Sequence, residues 1–139
     1  MADELTVLMR SVPLLKALGI EPVAAEAGES RIRLSVGEKH LRTLGMLHGG
    51  VTATLLDTAL GYAVMSLAAE GYHAVTVQLN VNYTRPAAVG ETLEAVGRVL
   101  HHGNLTAVAT GEVRNETGEL IATASGTFLY CRTPPAPAA

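Results

Sequence analysis

Tryptophan is absent and Phe128 is the lone phenylalanine, so a chain that is 48% hydrophobic must build its core from aliphatic side chains. Cys131 has no second cysteine to pair with, which excludes a disulfide framework and suits a reducing compartment. Basic residues are outnumbered by acidic ones, the net charge is −3, and no basic stripe or stacking aromatics occur. Nucleic acid is thereby excluded as a main partner. Residues Met1–Leu5 carry no basic leader or apolar run, so a cytoplasmic location is expected. One domain over residues 1–132 is expected, followed by a disordered Pro/Ala tail at 133–139.

Charge is scarcest mid-chain. Between His48 and Glu70 the only charged side chain is Asp57. Residues Gly50–Ala69 are long and apolar enough to suggest a membrane span. However, Asp57 falls inside the run, many residues are small, and neither end has a Lys or Arg anchor. The expectation is a buried central helix and no membrane.

Short elements flank it. Leu5, Leu8, Met9 and Val12 follow one apolar helical face, Pro13 restarts the chain towards Leu18, and Gly19 suits a helix C-cap. Residues Glu21–Ala27 and Ser30–Val36 are expected to pair around a Gly28-Glu29 turn. After Gly71 the period becomes two. His73, Val75, Val77, Leu79, Val81 and Tyr83 alternate with Ala74, Thr76, Gln78, Asn80, Asn82 and Thr84. Strands are further expected over Glu91–Leu100, Leu105–Val113 and Leu120–Cys131. Helices, a hairpin, one long helix and then four strands imply an α+β fold, a curved antiparallel sheet wrapped around the central helix.

The chemistry concentrates at His48-Gly49-Gly50. Two glycines at a helix start expose backbone N–H groups that have no intrahelical partners, backed by the positive end of the helix dipole. A ligand can approach them closely, and an oxyanion suits the place. An acid on an apolar helix costs stability, so Asp57 calls for a function. Burial among Leu55, Leu56 and Leu60 would raise its proton affinity. The adjacent His101 and His102 point to opposite faces of a strand, and no metal site is expected.

His48-Gly49-Gly50, Asp57, Gly45 and the strand Val75–Pro86 together resemble the hot-dog-fold acyl-CoA thioesterases, in particular their phenylacetate-degradation (PaaI-like) branch. The resemblance implies a hot-dog fold and hydrolysis of an acyl-CoA thioester, aromatic or medium-chain, to acid and CoA without metal or cofactor. It also implies that the Gly49 N–H polarises the carbonyl, that Asp57 is base or nucleophile, and that Thr76 helps hold water. The branch often carries Asn six residues before the histidine; here that position is Arg42.

His48 is read as a residue that holds the turn, beside Gly50. Gln78 and Asn80, on the face assigned to Thr76, are candidate pocket residues or interface polars. Arg85, Lys39 and Arg42 have two readings each, contact with coenzyme A phosphates or solvated surface charge.

Helix arithmetic adds a constraint. Gly49 and Asp57 are eight residues apart, about 12 Å along an α-helix, whereas a base must come within roughly 3 Å of its target. Both can serve one thioester only from different subunits. A homodimer is therefore required for the site, and the family resemblance points on to a homotetramer. Two other functions stand beside hydrolysis: a hot-dog hydratase or dehydratase, and a non-catalytic acyl-CoA-binding module.

Overall fold

The computed structural model describes residues 2–135. Thr133, Pro134 and Pro135 have no regular structure, and the rest of the expected tail, 136–139, lies outside the described residues.

The amphipathic start forms α1 (Ala2–Arg10), with Met9 fully buried and Leu5 and Val12 packed against the core. Leu8, assigned to the same face, is instead mostly exposed. Helix α2 (Pro13–Leu18) starts on proline and closes at Gly19, whose N–H bonds the carbonyls of Leu15 and Lys16. Strands β1 (Glu21–Glu26) and β2 (Glu29–Ser35) then pair with Glu26 opposite Glu29. The turn residues are therefore Ala27 and Gly28, not Gly28 and Glu29. Both have positive φ, as the right-handed twist of a two-residue hairpin demands.

The apolar run forms α3 (Gly49–Met65), shorter than expected because Ser66 ends it. Ser66 Oγ donates to the Ala63 carbonyl and accepts from Gly28 N–H, tying the helix end to the first hairpin. Among the described residues no helix is long and apolar enough to cross a membrane.

Strands β3 (Tyr72–Tyr83), β4 (Thr92–His102), β5 (Thr106–Asn115) and β6 (Leu120–Arg132) complete one six-stranded antiparallel sheet, ordered β1-β2-β4-β5-β6-β3. Helix α3 packs against all six strands, burying Leu55, Leu56, Ala59, Leu60, Ala63 and Val64. This is the hot-dog arrangement. It depends on a close approach at Gly97 of β4, where any Cβ would overlap the Ala59 carbonyl. With Gly97 the helix backbone can lie directly on the sheet.

One register shift changes the expected faces. Thr76 pairs with Phe128 and Gln78 with Thr127, so Val77 is an extra residue in a β-bulge. A one-residue slip moves every later side chain to the other face. Thr76 opposes the buried Phe128 and faces α3; after the bulge Leu79, Val81 and Tyr83 oppose Gly126, Ala124 and Ala122 on that face. Gln78 and Asn80 belong to the outer face, away from Thr76, which corrects the expectation that they share its face.

Candidate active site

The site starts where the chain enters α3. His48 is the N-cap, extended at φ −65° and ψ 128°, and its Nδ1 accepts from Gly50 N–H at 2.8 Å. That bond places the neutral ring's proton on Nε2. His48 carbonyl oxygen accepts from Val51 N–H at 2.9 Å, while Gly49 N–H has no partner among the described residues. Of the first donors of the helix, Gly49 N–H is the one left open to a ligand.

Two residues that sequence reasoning missed hold this entry in place. His40 is buried, accepts from Gly37 N–H at Nδ1 and contacts the Leu18 carbonyl through Nε2 at 2.6 Å, while its own carbonyl accepts from His48 N–H. Tyr83, at the end of β3, donates from its hydroxyl to the Gly49 carbonyl at 2.6 Å. His40 lies in no motif, and Tyr83 enters the sequence reading only as one residue of the alternating strand; the role of each is known by what it touches.

An open groove of about 520 Å³ runs over Gly49 and Gly50, between Arg42, Met46 and Leu47 on one side and Tyr83–Pro86 on the other. Arg42 is exposed and bonds only the neighbouring Thr43 hydroxyl among the described contacts of its side chain. Arg85 differs. Its guanidinium is held by Glu91 at 2.9 Å and by Glu119 at 3.0 Å, and it donates to the Pro86 carbonyl. The Arg85 bond, followed by one from Asn115, depresses the Glu91 carboxyl to about 2. Arg85 thus borders the groove as part of a structural ion-pair network. Lys39 bonds the Ala17 carbonyl and does not line the groove.

Asp57 lies two turns further along α3, half-buried, and its Oδ1 accepts from Thr76 Oγ1 at 2.7 Å. Leu55, Leu56 and Leu60 turn into the core, whereas Asp57, about 100° per residue around the helix, turns towards β3. The acid is therefore not packed among those leucines as expected. It is also absent from the walls of the groove that contains Gly49. Within one chain the amide and the acid face different places.

At the other end of α3, His102 Nδ1 and Tyr130 Oη lie 2.7 Å apart, and Tyr130 also contacts the Val64 carbonyl. Among the described residues no group of three or more His, Cys, Asp or Glu is placed to hold a metal ion.

The family model described as the Thioesterase superfamily matches residues 44–122, from the turn before His48 to the start of β6. The chain is 39% identical over 90 residues to acyl-coenzyme A thioesterase 13 of Mus musculus, covering 64% of each chain, so it spans just under two thirds of that relative. It is 33% identical over 107 residues to acyl-coenzyme A thioesterase PaaI of Escherichia coli, covering 77% of this chain and 74% of that one. The solved structure of the E. coli PaaI protein superposes with a TM-score of 0.83 at 29% identity, over 92% of this chain and 89% of that one. A Streptococcus mutans protein solved bound to acetyl CoA superposes at 0.76 and 31% identity, over 84% and 91%.

Proposed function

Since the chain belongs to the Thioesterase superfamily, we propose that this thioester hydrolase acts on acyl-coenzyme A, at a site completed by two subunits. The observation that carries the reading is the unpartnered Gly49 N–H at the start of the same helix that presents Asp57 to Thr76. The relatives named as acyl-CoA thioesterases, and the one bound to acetyl CoA, support the substrate class.

Attack on a thioester carbonyl builds negative charge on its oxygen, and the Gly49 N–H with the helix dipole behind it stabilises that charge. Asp57 of the partner subunit takes a proton from water while the new C–O bond forms. The C–S bond then breaks, and the proton passes to the departing coenzyme A thiolate. Thr76 donates to one carboxylate oxygen, which leaves the other to hold the water. The reaction drawn this way uses no cofactor.

The edge strand β3 supports the dimer. It is twelve residues long, lies at the border of the sheet, and exposes Val75, Val77 and Tyr83. An uncovered edge of that length is a template for a second strand. Two copies paired there bring the α3 helices to a shared interface, which supplies two equivalent sites.

Arg42, exposed at the groove wall, is the cation we assign to the phosphates of coenzyme A. For the acyl group we infer aromatic or medium aliphatic chains, for which Met46, Leu47, Tyr83 and Pro86 supply the apolar part of the groove's lining. His48 spends its Nδ1 on Gly50 N–H, which supports hydrolysis over a hydratase reaction that needs a histidine base. The test is thiol release from a panel of aliphatic and aromatic coenzyme A thioesters by wild type and Asp57→Asn. Release by wild type alone supports the proposal; equal release by both refutes the role of Asp57.

A further inference from the structure

We propose that Tyr83 is a positioning residue for hydrolysis: its hydroxyl pins the Gly49–Gly50 peptide and thereby aims the Gly49 N–H. The inference rests on the role assigned to Gly49 above.

Two consecutive peptides at the helix start carry four polar groups. The His48 carbonyl is tied to Val51 N–H, the Gly49 carbonyl to the Tyr83 hydroxyl, and the Gly50 N–H to His48 Nδ1. The fourth, Gly49 N–H, is the donor left over. Two of these ties come from inside the turn itself, and the Gly49 carbonyl also heads the helix's own ladder of hydrogen bonds. Tyr83 alone reaches in from the sheet, 34 residues further along the chain.

Its footing is firm. Thr84, the next residue, bonds the Ile121 carbonyl through its N–H and the Leu120 carbonyl through its hydroxyl. The ring also occupies the space a side chain at Gly49 would need, since a Cβ there would lie 3.3 Å from Tyr83 Cζ and Oη. Glycine admits the thioester and the ring, but by itself it has the freest backbone of any residue. An oxyanion donor must stay within a few tenths of an ångström of its target, and small misplacements are costly in rate. Tyr83 removes the freedom that glycine introduces. The hydroxyl on the first helical carbonyl links the orientation of the donor to the end of β3.

Tyr83→Phe keeps the ring and deletes the tie. The expected result is a fall in kcat of about tenfold with KM within about twofold, because the contact matters most in the transition state. The melting temperature should stay close to wild type, and Tyr72→Phe at the far end of the sheet should leave both constants unchanged. A rise in KM of about tenfold with kcat unchanged would overturn the proposal, since it would place the contact in ground-state binding instead. Unchanged kcat in Tyr83→Phe, with thiol release by wild type intact, also overturns it. If wild type releases no thiol, the functional assignment fails instead, and the tie is judged by NMR. Tyr83→Phe should shift the Gly49 and Gly50 amide resonances and speed their solvent exchange; wild-type shifts and exchange would overturn it.

Discussion

Thr76 Oγ1 donates to Asp57 Oδ1 across 2.7 Å, joining the edge strand β3 to the central helix α3. A charge-assisted bond of this kind fixes the carboxylate and decides which of its oxygens faces outward. Asp57→Asn keeps the size of the side chain and removes the base. Steady-state assays of thiol release should show kcat reduced by about two orders of magnitude or more, with little change in KM. Thr76→Val should reduce kcat by about tenfold, and Thr76→Ser should restore most of it, since the hydroxyl is the working group.

Gln78 and Asn80 sit beyond the Val77 bulge, on the outer face of the sheet. Replacing either with Ala should leave kcat/KM for acyl-CoA within about twofold of wild type. A tenfold loss in either variant would place these side chains back in the pocket and contradict the register.

Arg42 and Arg85 border one groove but differ in what they are free to do. Arg42→Ala should raise KM for a coenzyme A thioester by about fivefold and leave a truncated thioester without phosphates unaffected. Arg85→Ala should act first on stability, because it strips Glu91 and Glu119 of their partner.

The Glu91 carboxyl is held at about 2, below its ordinary value of 4.5, by Arg85 first and Asn115 second. A depressed acid stabilises the fold fully above its unfolded pKa, and that contribution disappears as pH falls through the folded value. Glu91→Gln should therefore lower the melting temperature by a constant amount above about pH 5. The gap should narrow as pH drops from about 4.5 towards 2. Thermal melts of both proteins across that range check it; a gap that widens on acidification would contradict the assignment.

Gly97 allows α3 to rest on β4, and Gly97→Ala would force a methyl into the Ala59 carbonyl. Overpacking of this kind costs about 1–3 kcal/mol or more, so urea melts should show a clear drop in midpoint.

The long helix, the strands after Gly71 and the helix-start motif were legible because each rests on periodicity or on adjacent residues. The apolar run gave α3 to within a few residues, its end missed because the Ser66–Gly28 bond comes from elsewhere in the chain. The faces of β3 were misread past Val77, since alternation continues in the sequence while the backbone slips by one residue. The Arg85, Glu91, Asn115 and Glu119 network joins β3's exit to the segment before β4 and the turn after β5. No spacing rule announces such a cluster. His40 and Tyr83 were missed for the same reason: their partners, Leu18 and Gly49, are 22 and 34 residues away.

The central claim is that one working site takes its amide from one chain and its acid from another. Subunits carrying Asp57→Asn can be paired with subunits carrying Gly49→Pro, each with its own affinity tag, and the mixed dimer isolated. Proline suits the first helical position and His48 already has the extended backbone required before it, while the Tyr83 ring, 3.3 Å from where a Cβ would lie, has to shift slightly to admit it. The mixed dimer then holds one site with both groups intact and one with neither, so it should recover about half of wild-type turnover, although both parent proteins are inactive. A mixed dimer as inactive as its parents would mean that Gly49 and Asp57 act within a single chain, or not together at all.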